Sequence, residues 1–278
     1  INGMTVYVIS ASKPENIDYT AYGINKALVI DNTGVFRKKE ELKRHLVSKG
    51  AEKVLLTAPC KEIANIVYGV NHLEYSPDKI DIFSAASCTT NAITPILKVI
   101  EDSFGVEHGH LETIHAYTND QNLVDNMHSK YRRGRAAALN MVITETGAGK
   151  AVSKALPALK NKLTSNAIRV PVPNGSLAIL NLKIKKNTTL KKINNLIKTA
   201  ALTGNLVEQI KYELNDELVS SDVVGCTAPA IYDSKATIVR PGGKNVIMYI
   251  WYDNEFGYSH QVIRLSKYIA KVRRFTYY

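Results

Sequence analysis

The residue best suited to chemistry in this sequence is Cys88, which lies where a short apolar run gives way to an amphipathic helical pattern. The free N–H groups and positive dipole end of a helix favour thiolate over thiol and stabilise a neighbouring oxyanion. A catalytic thiol also requires a base, and His115 ends the apolar run 111–114. Taken alone, a free cysteine is most often a small buried apolar side chain. We therefore interpret Cys88 and His115 as a candidate nucleophile and base, with a structural thiol as the alternative.

A second group of residues that could do chemistry is a cluster of basic side chains followed by a predicted helix start. The segment YRRGR (131–135) is followed by TETGAGK (144–150), in which small residues begin a predicted helix. Guanidinium groups and free N–H groups at a helix start bind phosphate, although a solvated loop explains the arginines equally well. The GAGK run lacks the Gly-x-x-x-x-Gly-Lys-Ser/Thr spacing of a nucleotide loop. We expect an anion site here, and the run is weak as an independent nucleotide motif.

Three short apolar runs before Cys88 predict the elements that position it. They lie at residues 27–30, 54–56 and 80–84, and each has the length of a strand. A charged helical stretch at 39–49 separates the first two runs, with Gly50 as its stop signal. Strand, helix and strand in this order are the unit of a parallel sheet. His45 falls within the charged helix, so we expect its side chain to be solvated.

The pattern changes after Cys88. Residues 176–185 alternate apolar and polar side chains, as in a half-exposed antiparallel strand. Strands are also predicted at 236–239 and 246–251, and helices begin near Thr188 or Thr189 and near Gly257. We predict an α/β fold with a partial Rossmann-type parallel sheet domain and an α+β catalytic domain that has a large antiparallel or mixed sheet. The expected domains are 1–87 with 253–278, which includes a closing helix, and 88–252.

Composition narrows the class of protein. The 278 residues are 45% hydrophobic, enough to bury a core, and the formal net charge is +11. Because the basic residues are scattered over predicted surface helices, nucleic acid is not expected as the main partner. Three widely spaced cysteines predict neither a disulfide framework nor a metal site. No apolar run reaches ~20 residues and residues 1–20 lack a signal-peptide pattern, so we expect a cytoplasmic protein without a membrane partner.

Four separated blocks of this sequence resemble the phosphorylating glyceraldehyde-3-phosphate dehydrogenases. Their order and spacing agree with that family across most of the chain, and the blocks are ASCTTN (86–91), HAYTNDQ (115–121), AIRVP (167–171) and WYDNEFGYS (251–259). A bacterial subgroup with a longer N-terminal part is similar also in NMVITETG (140–147) and in a basic, aromatic tail like VRRFTYY (272–278). The resemblance implies that Cys88 is the nucleophile and His115 the general base.

The resemblance further implies two phosphate subsites and a dinucleotide site. On the substrate-phosphate side it implies Thr118, Asp120 and Arg169. On the inorganic-phosphate side it implies Ser87, Thr89, Arg133, Thr146 and Gly147. The implied cofactor is NAD, with NADP as the alternative, and the residues that match its contacts are Thr33, Gly34, Thr57, Asn254 and Tyr258. The implied partners are glyceraldehyde 3-phosphate and inorganic phosphate, in a homotetramer whose loop 130–138 reaches a neighbouring cofactor pocket.

One departure from the family pattern concerns the cofactor. The family begins with a strand, a Gly-x-Gly-x-x-Gly type of turn and a helix, and none of these precedes Ile1. We therefore expect this chain alone to bind the dinucleotide poorly and to turn over slowly or not at all. Two alternatives stay open: a related phosphosugar dehydrogenase that acts on erythrose 4-phosphate, and a cofactor-deficient relative that acts by binding, for instance to RNA through its basic surface.

Overall fold

The small sheet of the protein is parallel and precedes Cys88. The computed structural model describes residues 2–272. In it the sheet has the order β1-β2-β3, and its strands and connecting helix are β1 (Ala27–Asp31), α1 (Lys39–Leu46), β2 (Ala51–Leu56) and β3 (Ile82–Ser84). The predicted strand, helix and strand unit is confirmed, although α1 ends three residues before Lys49. At Gly50 (φ +84°) an added Cβ would lie 2.6 Å from the Ile24 carbonyl oxygen, so the turn after α1 requires glycine.

His45 is buried, and the expectation of a solvated side chain is wrong. Its Nε2 lies 2.9 Å from Oδ2 of Asp31, and the two residues are only 7% and 1% exposed. The Asp31 carboxylate also accepts hydrogen bonds from the backbone N–H and the hydroxyl of Thr33. His45 is one helical turn from the fully buried Leu42, so it lies on the face of α1 that packs against the sheet.

The second sheet is large and mixed, as predicted. Its seven strands have the order β5-β6-β4-β7-β10-β9-β8. Strand β4 is parallel to β6 and β8 is parallel to β9, whereas the other neighbours are antiparallel. The strands are β4 (Val106–Ala116), β5 (Val142–Thr144), β6 (Leu163–Val170), β7 (Ser176–Ile184), β8 (Ile210–Glu213), β9 (Ala230–Val239) and β10 (Asn245–Tyr252).

Alternation along β7 determines which face of this sheet is the core. Leu180, Leu182 and Ile184 are fully buried, whereas Asn181 between them is exposed. Their cluster includes residues of three helices, α2 (Cys88–Phe104), α3 (Ala148–Ala155) and α4 (Leu190–Leu202). The Thr189 hydroxyl caps α4, which confirms one of the two predicted caps. The core of this part therefore lies between the mixed sheet and α2, the helix that begins with the candidate nucleophile.

The last helix, α5 (Phe256–Ile269), returns the chain to the small sheet. Val262, Leu265 and Ile269 pack with Leu55 and Phe83 in one apolar cluster. The predicted domain boundaries and the predicted basic tail include residues 273–278, which lie outside the described residues, and the boundaries stay a prediction. No helix within residues 2–272 is long and apolar enough to cross a membrane.

Candidate active site

The helix that carries Cys88 begins at that residue. Strand β3 ends at Ser84, a turn of three residues follows, and Ser87 caps α2 by accepting a hydrogen bond from the Thr90 N–H at 3.1 Å. Because α2 has 17 residues, its N-terminus presents a developed positive dipole. The thiol thus lies at the strand-to-helix junction that the sequence predicts.

His115 faces the thiol from the end of β4. Its Nε2 lies 3.5 Å from Cys88 Sγ, and its Nδ1 lies 2.7 Å from the carbonyl oxygen of Ala116. A carbonyl oxygen only accepts, so a proton on Nδ1 satisfies this contact and leaves the Nε2 lone pair directed at the thiol. This tautomer is assigned from the hydrogen-bond pattern. In this form His115 is a proton acceptor for Cys88.

Arg169 supports His115 from the neighbouring parallel strand. The register of β4 and β6 places His115 opposite Arg169, and the Arg169 Nη1 lies 2.8 Å from His115 Nδ1 and 2.8 Å from the Ala116 carbonyl oxygen. The same nitrogen lies 3.4 Å from the Thr118 hydroxyl. Arg169 Nε is buried and has no hydrogen-bond partner within the described part of the chain. Because His115 Nδ1 carries a proton in this tautomer, Arg169 Nη1 donates to the Ala116 carbonyl oxygen and not to the ring. The guanidinium therefore places a positive charge beside the base and keeps a donor for an incoming anion.

The protonation states of the pair follow from burial. Burial raises the pKa of the Cys88 thiol, and hydrogen bonds from Thr89 and the charge of Arg169 only partly oppose this effect. Burial and the charge of Arg169 lower the pKa of His115 from 6.5 to about 4. Neutral pH therefore favours a thiol beside a neutral imidazole. The predicted preference of the helix end for thiolate is thus opposed by burial, which raises the pKa of this thiol.

The pair lies in a cleft of about 620 Å³. Its lining includes most residues of the two implied phosphate subsites, namely Ser87, Thr89, Asp120, Arg133, Thr146, Gly147 and Arg169. Thr118 joins them through its contact with Arg169. Gly147 precedes the first residue of α3, and the Thr146 hydroxyl accepts a hydrogen bond from the Ala148 N–H at 3.3 Å. The starts of α2 and α3 thus border the same cleft, which provides backbone donors for anions from two sides.

Asp120 and Arg133, which the resemblance assigns to different phosphates, form an ion pair with each other. Arg133 also donates through Nε to the Thr144 hydroxyl at 2.9 Å and through Nη2 to the Glu145 carbonyl oxygen at 3.3 Å. Burial lowers the pKa of Arg133, yet its guanidinium stays charged at neutral pH. Arg133 is therefore oriented toward the cleft, and its charge is partly compensated by Asp120.

Four further residues with ionisable side chains line the cleft: Arg37, His128, Lys130 and Glu145. Glu145 lies in the predicted anion site at 144–150 and Lys130 in the loop 130–138 that the resemblance implies for a neighbouring cofactor pocket, whereas Arg37 and His128 were missed. His128 precedes the basic segment at 131–135, so that cluster was a usable signal for it. Arg37 follows β1, far from the chemical motifs in sequence, and only the packing of the small sheet against the cleft brings it there. Its guanidinium approaches Gly34, where an added Cβ would lie 3.9 Å from Arg37 Nη2.

The residues implied for the cofactor form two groups. Thr33 and Gly34 follow β1 and Thr57 follows β2, so all three lie at the carboxyl edge of the parallel sheet, where nucleotides bind in open α/β sheets. The Thr57 hydroxyl and N–H donate to the Asp31 carbonyl oxygen at 3.1 and 2.9 Å. The Thr33 hydroxyl donates to the Asp31 carboxylate. These hydrogen bonds fix the backbone at this edge of the sheet. Lone pairs of the two threonine hydroxyls and nearby backbone groups remain for a ligand.

Asn254 and Tyr258 form the second group, beside the turn before Cys88. The Asn254 carboxamide accepts from the Ser176 hydroxyl at 2.7 Å and donates to Glu255 at 3.2 Å, so one N–H and one lone pair remain. The Tyr258 hydroxyl donates to the Ala86 carbonyl oxygen at 2.8 Å. A fixed, nearly buried carboxamide with one free donor and one free acceptor fits the carboxamide of a nicotinamide ring.

This arrangement defines a class of site. A thiol and its imidazole base lie beside a guanidinium and two helix starts, at the edge of a nucleotide-binding type of sheet. Thiol nucleophiles with a fixed base and anion donors carry out acyl transfer. Within residues 2–272, no group of three or more His, Cys, Asp and Glu side chains is placed to hold a metal ion.

Comparison with known proteins identifies a family for this chain. The family model "Glyceraldehyde 3-phosphate dehydrogenase, C-terminal domain" matches residues 87–254. A glyceraldehyde-3-phosphate dehydrogenase-like protein of Pseudomonas aeruginosa is 52% identical over 272 residues, 98% of this chain. Glyceraldehyde-3-phosphate dehydrogenases of Streptomyces coelicolor and Geobacillus stearothermophilus are each 42% identical over 271 residues, 97% of this chain.

The chain belongs to the glyceraldehyde-3-phosphate dehydrogenase family. It spans 58% of the length of the Pseudomonas relative and 79% of the length of the Streptomyces and Geobacillus relatives. The family resemblance drawn from the four sequence blocks is thereby confirmed.

Proposed function

We propose that this chain provides the catalytic site of an NAD(P)-dependent glyceraldehyde-3-phosphate dehydrogenase, which converts an aldehyde phosphate and inorganic phosphate into an acyl phosphate. The observation that carries the proposal is the contact of 3.5 Å between Cys88 Sγ and His115 Nε2, with Arg169 at 2.8 Å from the other ring nitrogen. This constellation supplies a nucleophile, a base and a fixed positive charge in one cleft.

The first covalent step forms a bond between Cys88 Sγ and the aldehyde carbon. The thiol proton passes to His115 Nε2 as the C–S bond forms and the carbonyl π bond breaks, and His115 then gives this proton to the oxygen, which becomes the hydroxyl of a thiohemiacetal. His115 then removes the hydroxyl proton, and oxidation of the carbon leaves a thioester on Cys88. NAD or NADP, when bound near Asn254 and Tyr258, supplies the hydride acceptor. The neutral form of His115 at neutral pH makes it competent to accept protons.

The second covalent step releases the product. A phosphate oxygen attacks the thioester carbon, the C–S bond breaks, and Cys88 leaves as a thiolate that regains its proton from His115. The Cys88 N–H at the start of α2 is a donor for the oxyanion of this step. Arg169 and Thr118 are proposed for the substrate phosphate, and the α3 start with Thr146 and Arg133 for the inorganic phosphate. Asp120 orients Arg133 through their ion pair.

A homo-oligomer, specifically a tetramer in the cytoplasm, is part of the proposal. The segment 122–143 exposes large apolar side chains, among them Leu123, Met127, Tyr131, Leu139 and Met141, each more than 70% exposed. Contiguous exposed apolar surface marks an interface. Light scattering that shows a monomer at micromolar concentration would contradict this part.

The experiment that tests the catalytic proposal is dinucleotide reduction by the whole chain with glyceraldehyde 3-phosphate. We expect reduction that requires both the aldehyde and inorganic phosphate and that is lost in Cys88→Ser. Ser266→Ala, which removes a hydrogen bond within α5 far from the thiol, is the matched control and should be unchanged. Reduction that persists in Cys88→Ser, or that does not require inorganic phosphate, contradicts the proposal.

A further inference from the structure

The turn before Cys88 has an unfavourable backbone conformation. Ala86 has φ +56°, the left-handed region that non-glycine residues rarely occupy. The residue is fully buried, so solvent does not stabilise its carbonyl group. A conformation of this kind persists only where the surrounding structure holds it. Because Cys88 follows two residues later, whatever holds Ala86 also determines where the thiol points.

Side chains hold this turn at three successive carbonyl oxygens. The Asn91 carboxamide nitrogen donates to the Ala85 carbonyl oxygen at 2.8 Å and to the Ser87 carbonyl oxygen at 2.9 Å. The Tyr258 hydroxyl donates to the Ala86 carbonyl oxygen between them at 2.8 Å. Asn91 is 1% exposed and lies one helical turn after Cys88. Its two N–H groups are therefore both used on the turn that carries the nucleophile.

The orientation of the Asn91 carboxamide is determined from α5. Gln261, 2% exposed, donates through Nε2 to Asn91 Oδ1 at 3.2 Å and also to Gln209 Oε1. Its own Oε1 accepts from Arg264 Nη1 at 2.9 Å. A guanidinium only donates, so Arg264 forces the oxygen of Gln261 toward itself and the nitrogen toward Asn91. Asn91 Oδ1 must then face Gln261, which points both Asn91 N–H groups at the turn.

We propose that Asn91, Gln261 and Arg264 are positioning residues that hold Cys88 Sγ within reach of His115 by fixing the direction of hydrogen bonds from α5 to the turn. The inference rests on the proposed function only in that Cys88 is the nucleophile and His115 its base. None of the three side chains is needed to touch the substrate. Their effect passes through the backbone of residues 85–87.

The relay predicts a particular sensitivity to isosteric changes. Gln261→Glu keeps the shape and the contact with Arg264 but removes both N–H donors. The new carboxylate accepts from the Asn91 amide, which turns the Asn91 oxygen toward two carbonyl oxygens and destabilises the turn. Asn91→Asp directly removes the two N–H groups that donate to the turn. Arg264→Lys keeps a donor for Gln261, whereas Arg264→Met does not.

The test is the rate of Cys88 alkylation by iodoacetamide in the whole chain, followed by mass spectrometry across pH, in a double-mutant cycle with His115→Asn. In the unsubstituted chain we expect His115→Asn to slow alkylation at neutral pH by about tenfold. With Gln261→Glu or Asn91→Asp in place, the same substitution should matter by less than about twofold. Arg264→Met should reduce the coupling, and Arg264→Lys should restore it. Ser266→Ala on the same helix is the matched control.

The possible outcomes distinguish a failure of the positioning proposal from a failure of the proposed base role of His115. If His115→Asn slows alkylation by the same factor in every variant, the positioning proposal is overturned while the pairing of Cys88 with His115 stands. If His115→Asn has no effect even in the unsubstituted chain, the base role in the proposed function fails first. Circular dichroism melting identifies any variant that does not fold. In that case the comparison of Arg264→Met with Arg264→Lys tests the proposal, because Arg264 is half-buried and lies at the end of the relay. Equal coupling between Cys88 and His115 in these two variants would overturn it.

Discussion

Among the buried histidines of residues 2–272, His45 and His115 lie one beside each sheet, and their partners differ in charge. His45 lies 2.9 Å from the Asp31 carboxylate, whereas His115 lies 3.5 Å from the Cys88 thiol and 2.8 Å from the Arg169 guanidinium. A carboxylate satisfies a histidine and ties two elements together, here α1 and β1. Burial and the Arg169 cation lower the pKa of His115 and keep it neutral, with a lone pair facing the reactive thiol. Burial alone therefore does not identify a reactive histidine, whereas the chemical type of its hydrogen-bond partners does.

The largest expected difference between the two histidines is in rate. His115→Asn should lower the rate of Cys88 acylation by p-nitrophenyl acetate on the order of 1000-fold, because the thiol loses its proton acceptor. His45→Asn should leave that rate within about twofold, because it lies outside the cleft lining. Release of p-nitrophenol measures both. A comparable loss of rate in the two variants would remove the distinction.

The contact between His45 and Asp31 should contribute to the stability of the fold. His45→Ala leaves Asp31 with a buried carboxylate and only the Thr33 donors, so we expect a loss of about 2 to 3 kcal/mol in the free energy of unfolding. Lys49→Ala, which removes an exposed ion pair to Asp18 at 3.6 Å, is the control and should cost less than about 0.5 kcal/mol. Urea denaturation gives both values. Equal losses of unfolding free energy in the two variants would mean that the contact between His45 and Asp31 stabilises the fold no more than an exposed ion pair does.

The pH dependence of stability isolates His115. The unfolded chain binds the proton near pH 6.5 and the folded chain only near 4, so between these values the unfolded state holds more protons. The stabilisation is complete above pH 6.5 and is lost as the pH falls toward 4, by about 3 kcal/mol at most. His115→Asn should remove this component, which urea denaturation at a series of pH values measures. An unchanged pH slope in that variant would show that His115 titrates normally in the folded chain.

The smallest expected effect is a change in the pKa of His115 and Cys88 when Arg169 is replaced. The positive charge of Arg169 lowers the pKa of both His115 and Cys88, so Arg169→Met should raise both values. The pH profile of Cys88 alkylation and the histidine NMR titration report the two shifts. Arg169→Lys keeps the charge and should shift them less. A fall in either pKa on removal of Arg169 would contradict the electrostatic account.

Much of the fold follows from local pattern in the sequence. The apolar runs at 27–30, 54–56 and 80–84 became the three parallel strands, and the alternation at 176–185 became β7, because period and length are local properties of the chain. The position of Cys88 at a helix start is readable for the same reason. Thr189 as a cap is also a local signal. Helix ends were less predictable, as the early end of α1 shows.

What sequence reasoning missed depends on packing. The exposure of His45 was predicted wrongly because its charged neighbours in sequence lie on the solvent-facing side of α1. His45 lies on the opposite side, where it contacts Asp31 of β1. The dominance of burial at Cys88 was missed because a helix dipole is visible in sequence and desolvation is not. Arg37 in the cleft and the pairing of Asp120 with Arg133 likewise depend on contacts between distant segments.

The central claim is that Cys88 carries the acyl group and that phosphate removes it. Peptide mapping by mass spectrometry after brief exposure to p-nitrophenyl acetate tests it most directly, since Cys60 and Cys226 are internal comparisons in the same chain. The account predicts acetylation of Cys88 alone, with inorganic phosphate speeding its loss and releasing acetyl phosphate. Acetylation spread over the three cysteines, or loss from Cys88 at a rate independent of phosphate, would contradict it.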